Sequence, residues 1–409
     1  MTNFDEFLSP TGRLLRESAI RQMGTVIASN ADMVSFAAGY PDPNAFPWDA
    51  IRDVMRELLA QTDGRVLQYG PTRGHRPLLE SIGQLLTGRG ITASQDELLI
   101  TSGSQQGLDL VARVLVTPGD VVLVELPAYT GAISAFTNAQ ARLAGVAQDH
   151  DGINLDDLDE VCLRHRRAGR RVKLLYLVPN FQNPSGVLLD RAKRPRLIEW
   201  ARRRDILIIE DDPYGALYFD DVAGEEDTRP IRSFDDGDRV IYLSSFSKTL
   251  APGFRVGWMV APTMLADRFE TAKQAADLMT GSLDQHLVHE LVRRGTLEQI
   301  APALRQHYQH KRDIMESALR TIIGSGLRWS TPGGGFFLWV ALPEGTNDLA
   351  LLSCALERRL VLVVGSAFYV NGAGHNQVRL SFSACAENHI EEGVRRLADA
   401  MGGAAAASA

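Results

Sequence analysis

The sequence predicts an α/β fold, in which a large domain built on a mostly parallel sheet is followed by a smaller α+β domain. Its 409 residues exceed what a single hydrophobic core usually holds. Between residues 95 and 262, short apolar runs alternate with longer stretches of helical periodicity, the pattern of a parallel sheet with crossover helices. After about residue 290 the strand-like runs become fewer, which favours a second domain with helices packed on one side of its sheet.

The strands of the large domain are predicted from near-continuous apolar runs, because strands of a parallel sheet are buried on both faces. These runs lie at 97–101, 121–125, 173–178, 206–210, 239–245 and 255–261. The helical stretches between them include 104–116, 155–168 and 189–204. Alternation of this kind predicts repeated strand–helix–strand units.

The second domain is predicted from a sparser pattern. Its elements are a long helix at 300–323, a strand within 333–343, a helix at 349–359, a strand at 377–383 and an amphipathic helix at 387–401. We therefore divide the chain into an N-terminal segment that packs on the small domain (1–44), a large domain (45–290), a small domain (291–400) and a flexible tail (401–409). The tail is predicted from its low-complexity sequence, "MGGAAAASA".

Composition narrows the classes of partner. The net charge of −7 gives no electrostatic reason to expect nucleic acid or an anionic membrane surface. No apolar run reaches the length that spans a membrane. The three cysteines, Cys162, Cys354 and Cys385, are scattered without a metal-ligand spacing or a disulfide pattern. We expect a cytoplasmic protein without a metal site.

Segments with polar, glycine or proline residues follow five strands of the large domain in succession. They read "SGSQQG" (102–107), "LPAY" (126–129), "PNFQNPSG" (179–186), "DDPYG" (211–215) and "FSK" (246–248). In open α/β sheets the ligand lies at the carboxyl ends of the strands. The five segments together therefore predict a single pocket.

One residue of this pocket, Lys248, has the chemistry to form a covalent bond with a carbonyl group. A lysine in a desolvated pocket has a lowered pKa and attacks aldehydes to form a Schiff base, although an isolated lysine is more often a surface residue. The groups around it suit a phosphate: the hydroxyls of Ser245 and Ser247, the guanidinium of Arg255, and the helix start at Gly103, Ser104 and Gln105. A phosphate-bearing aldehyde would satisfy both features.

Three further residues of the pocket have a functional and a structural interpretation each. Asp211, at a strand end, could pair with a protonated ring nitrogen, or could cap the next turn, a role for which Asp212 competes. Tyr214 could donate to a ring oxygen or be a core aromatic residue. Asn183, before a proline, could bind the same ring or serve as a turn residue.

These motifs resemble those of the fold-type I pyridoxal-5′-phosphate (PLP) aminotransferases of class I, in particular the branch that contains 2-aminoadipate and kynurenine aminotransferases. The matching stretches occur in the family's order: "TSGSQQGLDL", "LPAYTGA", "PNFQNPSGV", "EDDPYG", "SFSKTLAPGFRVGW", "PGGGFFLW" and "VRLSFS". The resemblance spans most of the chain from residue 35 onward. It implies a seven-stranded, mostly parallel sheet in the large domain, PLP as the cofactor, and a homodimer with shared active sites.

The resemblance also implies roles for individual residues. Lys248 carries the cofactor and acts as the general base, Asp211 pairs with the pyridine nitrogen, and Asn183 and Tyr214 hold the phenolic oxygen of the ring. Tyr129 stacks on the ring. The phosphate is bound by Ser104, Gln105, Ser245 and Arg255, with help from Ser247 and from Tyr69 of the neighbouring subunit. Arg379 binds the substrate α-carboxylate, for which a planar two-pronged donor is suited, and Asn183 also belongs to the substrate-binding residues.

Substrate selection is expected to depend on residues near the N-terminus. Arg21, in "ESAIRQMG", matches an arginine that meets a distal carboxylate in the 2-aminoadipate branch, and it could equally be a surface helix residue. Gly39 matches a residue of the substrate pocket, whereas Tyr40 stands where the family has an aliphatic side chain. The implied substrates are an L-amino acid and a 2-oxo acid, with 2-oxoglutarate and glutamate as one pair and a 2-aminoadipate, aromatic or branched-chain amino acid in the other.

Three other functions stay open at this point, one of which is a catalytically silent binding protein, although the sequence keeps all the named cofactor residues. The same site could serve a decarboxylase, racemase, lyase or amino-acid oxidase, since the cofactor supplies the difficult chemistry and a fold hosts many reactions. A related domain also occurs in transcription regulators with a DNA-binding extension. We expect such an extension to be long and basic, and the aminotransferase-like motifs here begin near residue 35.

Overall fold

A computed structural model of the chain describes residues 3–15, 32–62, 64–236 and 238–408. Its strands are β1 Val34–Ser35, β2 Leu98–Thr101, β3 Val121–Leu126, β4 Arg142–Asp149, β5 Gly152–Ile153, β6 Val172–Leu177, β7 Leu207–Asp211, β8 Val240–Ser245, β9 Gly257–Val260, β10 Phe337–Ala341, β11 Leu360–Val361, β12 Val363–Val364 and β13 Gln377–Ser381. Its α-helices are α1 Pro10–Leu14, α2 Trp48–Ala60, α3 Arg76–Gly88, α4 Ser104–Leu115, α5 Thr130–Asn138, α6 Leu155–Arg167, α7 Lys193–Arg204, α8 Thr263–Ala276, α9 Ser282–Arg293, α10 Thr296–Ala318, α11 Asp348–Glu357 and α12 Glu387–Ser408. Among the described residues, no helix combines the length and the apolar character that crossing a membrane requires.

The large sheet has the strand order β2-β9-β8-β7-β6-β3-β4-β5 within the described part of the chain. The five strands from β8 to β4 in this order are parallel to one another, and β9 runs antiparallel to both of its neighbours. The predicted α/β class with a mostly parallel sheet is confirmed. The sheet has eight strands instead of the expected seven, because the two-residue strand β5 folds back antiparallel onto the end of β4.

The central strands are buried on both faces, as their apolar sequences predicted. All six residues of β3 are buried, and alternate residues join different cores: Val122 and Val124 pack in one apolar cluster, Val121 and Leu123 in another. Strand β4 has a mixed pattern of buried and exposed residues. It lacks a continuous apolar run, which explains why the sequence did not reveal it.

The C-terminal part of the chain contains a three-stranded antiparallel sheet in the order β10-β13-β12. Strand β1 pairs in parallel with β11, so residues 34–35 join this part of the molecule. The last helix, α12, continues through Ser408 into the stretch predicted to be a flexible tail. Alanine, the residue with the highest helix propensity, dominates this stretch, and Ala404 is buried.

Candidate active site

The carboxyl ends of the parallel strands open onto a cavity of about 780 Å³. Every residue predicted to form the site lines this cavity except Tyr69 and Arg21. The lining residues that the sequence predicted are Gly39, Tyr40, Ser104, Gln105, Tyr129, Asn183, Asp211, Tyr214, Ser245, Ser247, Lys248, Arg255 and Arg379. The prediction that the strand ends form a single pocket therefore agrees with the structure.

The two predicted residues outside the cavity have different explanations. Tyr69 is 78% exposed, and its side chain does not line the cavity of its own subunit. Its predicted role in the neighbouring subunit stays a prediction. Arg21 falls within residues 16–31, outside the described part of the chain.

Lys248 lies just beyond β8, and its ammonium group points to the opposite wall of the cavity. Its Nζ donates a hydrogen bond to the carbonyl oxygen of Gly39 at 2.9 Å and lies 5.6 Å from the ring centroid of Phe336. Burial, together with the positive charges of Arg379 and Arg255, lowers the pKa of Lys248 to about 8. About a tenth of this amine is therefore neutral, and nucleophilic, at pH 7, far more than for an ordinary lysine.

Asp211, the last residue of β7, presents one free carboxylate oxygen to the cavity wall. Its Oδ2 accepts a hydrogen bond from the hydroxyl of Tyr176 at 3.1 Å, while its buried Oδ1 has no hydrogen-bond partner among the described residues. Burial raises the pKa of Asp211 to about 7, an effect that the Tyr176 hydrogen bond and the nearby Ser104 hydroxyl oppose. A buried acceptor without a partner is costly unless a ligand supplies the donor.

The neighbouring carboxylate, Asp212, has the structural role for which the sequence left both aspartates as candidates. It accepts hydrogen bonds from the backbone N–H of Gly215 at 3.0 Å and from the Asn180 side chain at 2.8 Å. The Tyr242 hydroxyl also donates to it, at 3.1 Å. Asp212 therefore caps the turn that follows β7, whereas Asp211 lines the cavity.

An anion cradle lies where α4 begins. Ser104 is the first residue of this helix, whose N-terminal N–H groups and dipole favour negative charge. Gly103 precedes it with φ = +83°, and a Cβ atom at this position would lie 2.5 Å from a guanidinium nitrogen of Arg255. Arg255 itself donates to the carbonyl of Ser102 at 2.9 Å. Glycine is favoured here because side chains rarely adopt this positive φ, and the absence of a Cβ atom lets the guanidinium group pack directly over the helix start.

Arg379, on β13, lines the cavity and is buried between two aromatic rings. The carbon of its guanidinium lies 4.4 Å from the ring centroid of Phe337 and 5.3 Å from that of Phe368. The guanidinium donates to Asn183 Oδ1 at 2.8 Å. Burial lowers the pKa of Arg379 to about 10, so the group keeps its charge at neutral pH. This rigid cation can bind a carboxylate with two parallel hydrogen bonds.

The sequence did not identify the residues that support these groups. In the sequence, Tyr176 stands out only as part of an apolar strand, yet its hydroxyl group orients the carboxylate of Asp211. Period-two alternation along the chain does put it on the same face as Val178, which lines the cavity, so a signal existed. The stacking of Phe337 and Phe368 on Arg379 has no such signal, because it depends on how the C-terminal strands and loops pack.

The comparison with known proteins identifies the family. Residues 31–397 match the aminotransferases of class I and II. The chain belongs to the class I and II aminotransferase family. The predicted resemblance and the predicted PLP-dependent aminotransferase activity are confirmed.

Several relatives of this aminotransferase match it along almost the whole chain. An aromatic-amino-acid aminotransferase from Thermococcus litoralis is 36% identical over 98% of this chain and 95% of its own. A 2-aminoadipate transaminase from Thermus thermophilus is 37% identical over 98% of this chain and 97% of its own. The crystal structure of a kynurenine aminotransferase from Pyrococcus horikoshii, in complex with PMP, superposes with a TM-score of 0.92 at 38% identity, covering 98% of each chain.

The cofactor of the enzyme is PLP, and the residues of the cavity fit its chemical groups. The free Oδ1 of Asp211 suits a protonated ring nitrogen, and the cradle at the start of α4 suits a phosphate. The amine of Lys248, whose pKa is lowered, is suited to react with the aldehyde carbon of the cofactor.

The rate at which cofactor-free enzyme takes up PLP is expected to depend on pH through Lys248. Only the neutral amine attacks an aldehyde, so the rate should rise roughly tenfold per pH unit at low pH and level off above about pH 8. Stopped-flow absorbance of the bound cofactor measures this rate. A rate that keeps rising beyond pH 9 would mean that the pKa of Lys248 is not lowered.

Proposed function

We propose that this aminotransferase moves the amino group of an L-amino acid to a 2-oxo acid, with glutamate and 2-oxoglutarate as one pair and a 2-aminoadipate, aromatic or branched-chain amino acid in the other. The observation that carries the proposal is the position of Arg379 and Lys248 on the wall of one cavity. An α-carboxylate bound to the buried guanidinium group would leave the α-carbon within the same cavity as the reactive amine.

In this proposal, the elements around the cavity divide the work of holding the cofactor. Asp211 binds the pyridine nitrogen, Asn183 and Tyr214 bind the phenolic oxygen, and Tyr129 covers one face of the ring. Burial raises the pKa of the Tyr214 hydroxyl, which therefore stays protonated and donates. The residues proposed for the phosphate are Ser104, Gln105, Ser245, Ser247, Arg255 and, from the neighbouring subunit, Tyr69.

When bound, the cofactor supplies an electron sink for the charge that develops at the α-carbon. Asp211 keeps the ring nitrogen protonated, which requires its carboxylate to be ionised. As a neutral amine in the cavity, Lys248 Nζ would take the α-proton of the substrate, hold it as an ammonium group and later give it back as a general acid. The carbonyl oxygen of Gly39, 2.9 Å from this nitrogen, accepts a hydrogen bond from the amine and so fixes its position in the cavity.

The amino acid of the second substrate pair is proposed from the residues that line the cavity and from the substrates after which the related aminotransferases are named. Tyr40, Tyr129 and Tyr214 form aromatic walls that suit an aromatic or aliphatic side chain. Among the described residues that line the cavity, the cations are Lys248, Arg255 and Arg379, all three assigned other roles above. A distal carboxylate, as in 2-aminoadipate, would therefore depend on Arg21, which we propose for this contact.

We further propose that the enzyme is a homodimer with shared active sites and works in the cytoplasm. The exposed position of Tyr69 supports the dimer, because this side chain would be useful only to a neighbouring subunit. The location is supported by the cysteines, all three of which are free thiols.

A panel of amino donors and 2-oxo acids tests the proposed substrates. We expect glutamate to form from 2-oxoglutarate with at least one donor among 2-aminoadipate, kynurenine, phenylalanine, tyrosine and leucine, and to follow ping-pong kinetics. Amino-acid analysis of the products gives the answer directly. Release of carbon dioxide or ammonia without amino transfer from any donor would contradict the proposal and would favour a decarboxylase or an oxidase.

A further inference from the structure

Segment 36–42 forms one wall of the cavity and is held there by hydrogen bonds to its backbone. Gly39 and Tyr40, in the middle of the segment, line the cavity. The carbonyl of Gly39 accepts from Lys248, and the carbonyl of Tyr40 accepts from the hydroxyl of Ser383 at 2.7 Å. The backbone of the segment packs closely on Phe337, because a Cβ atom on Gly39 would lie 2.8 Å from the ring of that residue.

The C-terminal end of this segment is anchored by a buried ion pair. The carboxylate of Asp42 accepts a hydrogen bond from Lys311 Nζ, on helix α10, at 2.8 Å. Lys311 is fully buried and Asp42 is 6% exposed. A second residue of α10, His307, lies with its Nε2 3.1 Å from the same carboxylate oxygen. The backbone N–H of Asp42 donates to the Tyr308 hydroxyl at 3.0 Å.

The same lysine links the anchor to the second tether of the segment. Lys311 Nζ also donates to the carbonyl of Ser383 at 2.6 Å, and the Ser383 side chain is the group that holds Tyr40. One buried cation therefore fixes both the end of the segment and the residue that holds its middle. Charged groups at such depth make well-defined contacts, because breaking one partner leaves the other charge buried and unpaired.

We propose that Asp42 and Lys311 are positioning residues that set the shape of the substrate pocket by fixing Gly39 and Tyr40, and so determine how the enzyme ranks its amino donors. The inference rests on the proposed function, since it takes this cavity as the substrate site. Neither residue touches the substrate. The groups proposed for the ring and the phosphate of the cofactor lie on other segments, and Lys248 contacts this one through the carbonyl of Gly39. Cofactor affinity should therefore depend on the pair much less than the ranking of donors does.

The variant Asp42→Asn tests the proposal, and the chain offers a matched control. Asp120 is 7% exposed and accepts from Lys173 Nζ at 2.9 Å, and this lysine also donates to a backbone carbonyl, that of Leu115, at 2.6 Å. This second pair does not line the cavity. Asp42→Asn and Asp120→Asn therefore remove the same charge from two similarly buried carboxylates, each paired with a lysine that is 0% exposed in the first pair and 23% exposed in the second. Only the first pair adjoins the proposed pocket.

We expect Asp42→Asn to change the ratio of KM values for the two best donors of the panel by about 10- to 100-fold, because a misplacement of the order of 1 Å has effects of this size. Asp120→Asn should leave that ratio within twofold and should reduce only the thermal stability. The dissociation constant of PLP should change far less than the donor ratio in Asp42→Asn and should stay the same in Asp120→Asn. An unchanged donor ratio in Asp42→Asn, or an equal change in Asp120→Asn, would overturn the proposal.

Hydrogen exchange provides a readout that does not depend on catalysis. In the purified protein, peptides that cover segment 36–42 should exchange faster in Asp42→Asn than in the wild type, whereas Asp120→Asn should leave them unchanged. Equal exchange in all three proteins would contradict the positioning role, even if the substrate panel showed no amino transfer. If Asp42→Asn does not fold, Ser383→Ala removes one tether without touching a charge, and its donor ratio should shift by about fivefold, the effect of one hydrogen bond.

Discussion

Substituting Lys248 with alanine is expected to lower kcat by at least about 10²–10⁴-fold, the usual contribution of a positioned general base. The substitution removes the one amine that lines the cavity among the described residues, and with it the group whose pKa is lowered to about 8. The variant should still bind PLP through the ring and phosphate contacts, which Lys248 does not supply. The measurement is a single-turnover assay with the best donor, followed at the cofactor's absorption bands.

Covalent trapping separates this role from a loss of structure. Borohydride treatment of the wild-type enzyme should fix the cofactor on the peptide that contains Lys248, whereas Lys248→Ala should yield no labelled peptide. Lys193→Ala provides the control, since this lysine pairs with Asp151 at 2.6 Å and does not line the cavity. If Lys248→Ala kept the activity of Lys193→Ala, or became labelled on the same peptide, the assignment of Lys248 would be wrong.

The residues that could be predicted from the sequence are those that local rules bring together. Asn183, Asp211 and Lys248 lie at or just beyond the ends of three neighbouring parallel strands, and the carboxyl ends of such strands meet at one edge of the sheet. The helix that starts at Ser104 and the glycine before it likewise predict an anion site from local sequence alone. The family resemblance then supplied what periodicity does not contain, above all the identity of the cofactor and the role of Arg379.

The residues that escaped prediction depend on contacts between distant parts of the chain. Asp42 and Lys311 are separated by 269 positions, and nothing in either local sequence marks them as a buried pair. Strand β4 was missed because one of its faces is partly exposed, so its apolar residues do not form a run. The helical end of α12 was missed because low complexity was taken to mean flexibility, although alanine favours helix.

A second large effect is expected from Asp211→Asn, which should lower kcat by about 10²–10³-fold, the size found when one stabilising group opposite a developing charge is removed. An amide does not hold a proton on the ring nitrogen, so the cofactor would lose part of its capacity to accept electrons. The substitution is nearly isosteric, and Tyr176 can still donate to the amide oxygen. The absorption spectrum of the bound cofactor as a function of pH reports the protonation of the ring directly.

The control for Asp211→Asn is Asp205→Asn, which removes a surface carboxylate that pairs with Arg239 at 2.8 Å and lies outside the cavity. Asp205→Asn should keep the kcat and the spectrum of the wild type. If Asp211→Asn kept a kcat within tenfold of the wild type, the carboxylate would not be the partner of the ring nitrogen.

In the absence of the cofactor, Asp211→Asn is expected to raise the stability of the folded protein at pH 8. The pKa of Asp211 in the folded protein is raised from 3.8 to about 7, so the folded state binds more protons than the unfolded state between these values. The wild-type protein without PLP therefore loses stability as pH rises through this window, whereas Asp211→Asn has no charge to bury. Thermal unfolding should find the cofactor-free variant more stable than the wild type at pH 8, with the difference disappearing towards pH 4. The opposite result would be a wild-type protein that is more stable than Asp211→Asn at pH 8 without PLP. It would show that the Asp211 carboxylate has a partner within the protein, so its Oδ1 would not be available to the ring nitrogen of the cofactor.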